Sequence, residues 1–491
     1  MADRHVLFMV TDFAPLPSIG RLRTQKFCRY LRQFGWRTSV LTLRPPPGTL
    51  TDQALLQEIP SDTRVHRVAC PQPFDAPIRW ASRLLGSRGN GTRQDGGTTG
   101  SSNAVGGSNG PSLRDRLTGP VDAAKKFLTR HLMVPDDTAA AFFGLAGRAV
   151  RIIEREQVDV LVASVPGFTP WLAAVRAGRR TGLPVVVDYR DLWHGDVLRH
   201  WMGPVRQRIE LSLERRALAG SAAVVTVSQS KTLHVRGLDP QARSKPFETI
   251  YNGFDELDLE GVEPKRLAED DGRLVLVHAG KLYGARRIDP LLESLGRLIR
   301  AGTLEPGRIR LRLLGTVDSP QRQRLDEIVQ RYGLGKLLAY DGYVTRRHAL
   351  ARQLGADALV LVVDPGETSA GVIPGKLTEY IGLGRYVLAL GEPGESHDLL
   401  KRYGHASWAS ACDPKQLDAA LATLWDRWRA DASFGRCSGD RSVVPTRRET
   451  ARQLAAVLEA VLERRPAAAT TGIVPDGPLE AMTRQGAWNL P

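Results

Sequence analysis

Twice along this chain, short apolar runs alternate with stretches of helical spacing, and nearly every run ends on Gly, Pro, Asp or Ser. In the first half the runs are His5 to Phe13, Arg37 to Leu43, Arg64 to Ala69, Val158 to Ala163, Pro184 to Tyr189, Ala222 to Ser228 and Phe247 to Tyr251. In the second they are Arg273 to Ala279, Ile309 to Leu314, Leu338 to Val344, Ala356 to Val363 and Arg385 to Leu390. Strands joined through helices pair in parallel and are buried on both faces, so this alternation dictates an α/β architecture. At 491 residues the chain is too long for one core. The pattern therefore predicts two doubly wound domains, over 1–255 and 273–445, joined by an acidic linker at 256–272. A final helix follows at 446–465. The Gly/Ser/Thr/Asn-rich stretch 86–112 and the tail 466–491 bury too little apolar surface to order, and are expected to be disordered.

Composition narrows the function classes. The sequence contains no apolar run of membrane-spanning length, and Met1 to His5 leads into a strand without a basic-then-apolar leader, so a cytoplasmic protein is expected. Cys28, Cys70, Cys412 and Cys437 lack metal-type spacing and read as reduced, mostly packed thiols. The net charge is +15, nearly all of it in residues 1–250. Either this half meets an anionic partner, such as a membrane surface, a pyrophosphate-linked lipid or a polyanionic glycan, or the charge serves solubility. Basic amphipathic flanks at 78–85 and 113–133 fit peripheral contact with an anionic bilayer or ordinary packing. Neither flank has the aromatic-rich basic surface of single-strand binding, and no nucleic acid is expected as a partner.

Two stretches carry chemistry. In Gly371-Val-Ile-Pro-Gly-Lys-Leu-Thr-Glu-Tyr-Ile-Gly-Leu-Gly384 a short helix starts after a strand, with Lys376 and Glu379 on one face. Free N–H groups and a partial positive charge at such a terminus suit a phosphate, Lys376 adds a full charge, and Glu379 suits a ribose diol. A surface ion pair between the two is the bland alternative. The loop Gly280-Lys281-Leu-Tyr-Gly284-Ala-Arg286-Arg287, ahead of a helix with Asp289 as N-cap and Pro290 at its first turn, combines close backbone approach with three cations. It reads either as a pyrophosphate wrap or as a solvated basic loop.

The first stretch, Gly371 to Tyr380, resembles the donor-binding motif of family 4 retaining glycosyltransferases, which have the two-domain GT-B fold. Asp188-Tyr-Arg-Asp-Leu-Trp193, with Ser164-Val-Pro and Pro135-Asp136 upstream, resembles the Asp-x-Arg-Asp-x-Trp signature of a bacterial branch that makes polysaccharides. Asn252-Gly-Phe-Asp255 is similar to the family's hinge. The resemblance covers most of the chain and implies two Rossmann-like domains facing across a cleft. It assigns Lys281 and Arg286, or in place of the latter Arg287, to the phosphates. It puts Gly20 in the first loop, Gly280 beside the phosphates, Gly342 near the base, and Ser164, Arg190 and Asp191 on the acceptor side. The family's usual pair of glutamates is incomplete here: Glu379 matches the second and Gly371 stands at the first. Contacts to the donor sugar then pass to the backbone of Gly371, Val372 and Ile373, or to Glu367.

The implied activity is transfer of a sugar from a nucleotide-diphosphate sugar to a glycan or lipid-linked acceptor, with retention, no cofactor and no metal. Lys281, Arg286 and Lys376 would stabilise the leaving diphosphate, and Asp191 would orient the acceptor hydroxyl. Three alternatives remain open: a sugar-nucleotide epimerase or hydrolase of the same fold, a basic nucleic-acid-binding protein, and an inert scaffold.

Overall fold

The structure is a computed structural model that describes residues 4–18, 20–46, 48–49, 51–71, 133–195, 202–239, 241–284, 286–363, 371–431, 434–435 and 439–464. The expected disordered insertion and tail, the flank 78–85, all but Met133 of 113–133, and Glu367 lie outside the described residues.

The first sheet contains β1 (Arg4–Met9), β2 (Trp36–Leu43), β3 (Arg64–Val68), β4 (Val160–Val165), β5 (Val185–Tyr189), β6 (Ala223–Thr226) and β7 (Phe247–Thr249). Its strand order is β3-β2-β1-β4-β5-β6-β7, and every pair is parallel. The second contains β8 (Leu274–Ala279), β9 (Ile309–Leu314), β10 (Leu338–Gly342), β11 (Ala358–Val362), β12 (Tyr386–Leu390) and β13 (Ala406–Ala409). Its order is β10-β9-β8-β11-β12-β13, again all parallel. In each sheet the chain order reverses beside the first strand, between β1 and β4 and between β8 and β11. Such switch points leave a crevice at the strands' carboxyl ends.

The helices of the first half are α1 (Gly20–Leu31), α2 (Phe142–Glu156), α3 (Phe168–Thr181), α4 (Pro204–Ala219) and α5 (Gln229–Leu238). Those of the second are α6 (Asp289–Arg300), α7 (Ser319–Tyr332), α8 (Arg346–Leu354), α9 (Gly375–Gly382), α10 (Glu395–Tyr403), α11 (Pro414–Ala430) and α12 (Arg447–Glu463). Period-two alternation divides β1 between two cores. Leu7 and Met9 pack with Leu145 of α2 and Trp171 of α3, while Val6 and Phe8 pack with Phe27 of α1 and with Leu454 and Leu458 of α12. The last helix therefore covers the first sheet. The two chain crossings between the sheets run side by side, with a parallel bridge between Phe254 and Thr446 and a bond from the Arg447 N–H to the Phe254 carbonyl at 2.7 Å. Among the described residues no helix is long and apolar enough to cross a membrane.

Some local expectations are corrected. The edge strand β13, Ala-Ser-Trp-Ala, is too short and too polar to stand out by pattern. Asp289 does not cap α6; its carboxylate is held by Arg287. Cys412 is exposed rather than packed. Of the cations on α1, Arg21, Arg23 and Lys26 are buried at the cleft and Arg29 is half-buried.

Candidate functional site

The carboxyl ends of both sheets open onto one cleft of about 1210 Å³. From the second sheet, Ala279 and Gly280 after β8, Gly315 and Thr316 after β9, and Val362 at the end of β11 reach its wall. From the first, Thr11 and Asp12 after β1, Gly167 after β4, Arg190 and Asp191 after β5, and Val227 after β6 face them.

Lys281 and Arg286, from the loop after β8, and Lys376, from the first turn of α9, line this same cleft. Both loop cations lie against the ring of Tyr283, Lys281 Nζ at 5.3 Å from its centroid and the Arg286 guanidinium at 5.2 Å. Gly280 makes room for the third. Its φ is +130°, and a Cβ there would lie 2.3 Å from Lys376 Nζ, so the close approach of backbone to ammonium requires glycine. Arg287 is turned toward Asp289 and does not reach the cleft. Of the two candidates for the second phosphate cation, the geometry thus favours Arg286.

Lys376 meets a residue that sequence reasoning did not single out. His278 is buried in β8 and lines the cleft. Its Nδ1 is 2.9 Å from the Val360 carbonyl, which can only accept, so Nδ1 carries the proton. Nε2 is then an acceptor, 3.4 Å from Lys376 Nζ. Burial first, and the Lys376 charge second, push the imidazole down to about 3. It is neutral at physiological pH and orients the ammonium without competing with its charge.

Glu379 lies one turn further along α9 and also lines the cleft. Its carboxylate pairs with Arg346 at 3.0 Å, and Arg346 reaches on to Asp258 at 2.7 Å. Tyr380 turns inward, its hydroxyl accepting from the Ala279 N–H at 3.2 Å and so fixing the end of β8. Gly342 closes β10 outside the cleft, but Tyr343, 82% exposed, and Val344 line it.

Val372 and Ile373 line the cleft, whereas Gly371 is pressed against the other half of the molecule. A Cβ at Gly371 would lie 2.5 Å from Ser230 Cβ. The Gly371 carbonyl accepts from Ser228 Oγ at 2.8 Å, and the Val372 carbonyl from Ser396 Oγ at 2.7 Å. Beside this loop, the Glu395 carboxylate at the start of α10 accepts from the N–H groups of Gln229 (2.8 Å) and Ser230 (3.2 Å), from Ser230 Oγ (3.2 Å) and from the Tyr251 hydroxyl (2.8 Å). A carboxylate from one half thus serves the amino end of α5 in the other.

On the facing wall the Asp-x-Arg-Asp-x-Trp run divides. Asp188 is buried, bidentate to Arg23 at about 3.0 Å and accepting from Ser164 Oγ at 3.0 Å. Arg190 donates to the carbonyls of Val165 and Pro166, each at 3.2 Å, and to that of Gly20. Trp193 is buried on Phe168 with ring centroids 4.3 Å apart, and donates to Glu210 at 2.7 Å. Asp188, Ser164 and Trp193 are framework, and Arg190, though at the cleft, staples three loops. Asp191 lines the cleft with Lys231 Nζ 3.5 Å from its carboxylate. Gly20 opens α1 at the same wall.

Residues 104–253 match the family model for a glycosyl transferase 4-like domain. No curated protein matches the chain. Among solved structures, Anabaena HepE in complex with UDP-glucose superposes with a TM-score of 0.52 at 13% identity, over 94% of this chain and 98% of that one. Sucrose-phosphate synthase from Thermosynechococcus elongatus gives 0.52 at 13% identity over 98% of each chain. The lipopolysaccharide outer core galactosyltransferase WaaB in its apo form gives 0.52 at 11%, over 94% of this chain and 100% of that one. At these identities the likeness is one of fold.

Proposed function

We propose that this chain, a glycosyltransferase of the GT-B fold that carries a family 4-like domain, moves a sugar from a nucleotide-diphosphate sugar to a glycan or lipid-linked acceptor in cell-surface polysaccharide biosynthesis. The observation that carries this reading is the convergence of Lys281, Arg286 and Lys376 on one cleft beside the amino end of α9. As the glycosidic bond to the donor breaks, the anomeric carbon becomes oxocarbenium-like and the diphosphate gains negative charge. Three fixed cations and a helix terminus oppose that charge without reorganising, and fixed electrostatics of this kind lowers a barrier most. A divalent ion is then unnecessary, and transfer proceeds unchanged in EDTA.

Glu379, freed from or shared with Arg346, takes the ribose diol, and Tyr343 offers its exposed face to the base. The backbone of Val372 and Ile373 holds the sugar in place of the missing carboxylate. Asp191 orients the acceptor hydroxyl, and the departing phosphate accepts its proton on the same face, so configuration is retained. The basic first half suits an acceptor at an anionic membrane surface.

Calorimetry against UDP-, GDP- and ADP-sugars, followed by transfer of labelled sugar to a cell-envelope extract, tests this. Binding of one donor series and label in the extract is expected. Failure of all three to bind overturns the reading, and full consumption of the donor without any acceptor assigns the cleft to a hydrolase or epimerase instead.

A further inference from the structure

The loop after β8 presents its side chains by alternation. Leu282 is buried and pinned to the chain after β9: its N–H donates to the Thr316 carbonyl at 2.9 Å, its carbonyl accepts from the Asp318 N–H at 3.1 Å, and a parallel bridge joins it to Val317. An extended residue that points into the core turns its two neighbours away from it, so Lys281 and Tyr283 share the outer side. Both are exposed, Tyr283 at 38%. A second pin follows at once, where the Gly284 N–H donates to the Asp318 carboxylate at 3.1 Å. The chain then folds back, and the Arg286 N–H donates to the Tyr283 carbonyl at 3.1 Å. Tyr283 is thus the fixed point between the two cations of this loop.

Its ring meets both of them. Lys281 Nζ at 5.3 Å and the Arg286 guanidinium at 5.2 Å from the centroid are each within the range where the quadrupole of an aromatic ring attracts a cation. Two like charges on long flexible stems otherwise spread into solvent, and the rotamer freedom they lose on meeting a ligand opposes binding. A ring fixed by the pins on either side of it removes part of that loss beforehand. Lys281 and Arg286 line the cleft and Tyr283 does not, so the ring acts on a ligand through the cations.

We propose that Tyr283 is a positioning residue for diphosphate binding: its ring presets Lys281 and Arg286 for the donor's two phosphates. This rests on the transferase reading, in which those cations hold the departing diphosphate, and adds to it the residue that keeps them in place before a ligand arrives. The face of the ring carries the effect, and the hydroxyl is dispensable.

The test uses inorganic pyrophosphate, which has the phosphates and no base, beside UDP, GDP and ADP. Each is titrated by calorimetry into full-length wild type, Tyr283→Phe and Tyr283→Leu. The leucine variant keeps an apolar side chain without a π face, and is expected to bind pyrophosphate and the preferred nucleotide about tenfold more weakly, by the same factor for both. The phenylalanine variant is expected to restore affinity to within about threefold of wild type. In an Arg286→Met background one of the two cations is gone, and Tyr283→Leu is expected to cost less than about threefold more, because residues that act through one another are not additive. Thermal melting checks the fold, and Tyr283→Met serves as the ring-less variant if Tyr283→Leu is unfolded.

Equal affinities in wild type and Tyr283→Leu overturn the proposal, as does a wild type that binds a nucleotide but not pyrophosphate. Tyr283→Phe binding as weakly as Tyr283→Leu overturns it by assigning the effect to the hydroxyl. Weaker nucleotide binding with unchanged pyrophosphate binding overturns it by placing the ring against the donor's base. An undiminished loss in the Arg286→Met background overturns it too, since the ring would then support the loop and not the cations. Failure of the wild type to bind any nucleoside diphosphate sinks the transferase reading itself, and is seen before any variant is compared.

Discussion

His278 shows what one imidazole does when an ammonium is set against it. In the unfolded chain it takes a proton near 6.5, but in the folded chain only near 3, mainly through burial and then through Lys376. Between those values the unfolded state binds more protons, so stability falls as pH drops from about 6.5, by up to ~1.4 kcal/mol per pH unit from this group alone. Unfolding in urea at pH 7.0, 5.5 and 4.5 is expected to show a shallower acid limb for His278→Gln than for wild type. At the same site, Lys376→Ala is expected to lower turnover by about 10²–10³-fold, the usual loss when one charge-stabilising group is removed, with the melting temperature little changed. Lys281, Arg286 and Lys376 are legible in the sequence because each sits in a loop or helix start just after an apolar run, where such side chains face a ligand or solvent. His278 is not legible: inside Leu274-Val-Leu-Val-His-Ala279 it reads as one more strand residue, and its role comes from Lys376, 98 positions away.

Among the elements, α1 departs furthest from its sequence. Its spacing through Leu22, Tyr30 and Leu31 gives the helix correctly, but four cations along it, with Arg32 just beyond, suggest a face toward water or an anion. Instead Arg23 is sunk onto Asp188, Lys26 onto Asp255 and Asp258, and Tyr30 onto Asp255 at 2.5 Å. Local spacing cannot reveal this, because the carboxylates arrive from β5 and from the segment after β7, far along the chain. The strands other than β13 are, by contrast, legible to within a few residues, since a strand buried on both faces must be apolar throughout. Removing one member of a buried pair leaves the other charge uncompensated. Asp188→Ala is expected to destabilise the protein by about 3–5 kcal/mol in urea unfolding, and Arg23→Met with Asp188→Leu by less than that single change. A deficit under 1 kcal/mol for Asp188→Ala would show that the pair is solvated and the helix face open.

For the whole molecule, Gly371 and the contact between the two halves belong together. A carboxylate-bearing side chain at 371 has no space, because Ser230 of α5 occupies it in this closed arrangement. The same α5 terminus is gripped from the other half by Glu395, whose four hydrogen bonds tie α10, α5 and Tyr251 together. Ser228 and Ser396 then hold the Gly371 and Val372 carbonyls, so the loop expected to hold the sugar is positioned by both halves at once. Two changes separate grip from loop. Glu395→Ala removes the grip and leaves the loop residues in place; it is expected to raise the radius of gyration in small-angle scattering and to lower turnover roughly tenfold through misplacement of the donor, with donor affinity little changed. Gly371→Ala drives a methyl group against Ser230 and should open the halves in the same way, and Ser230→Gly in the same chain should restore closure by vacating that space, because contacting residues do not act additively. If the double variant remains as open and as slow as Gly371→Ala alone, the glycine answers to the backbone of its own loop and not to the facing helix.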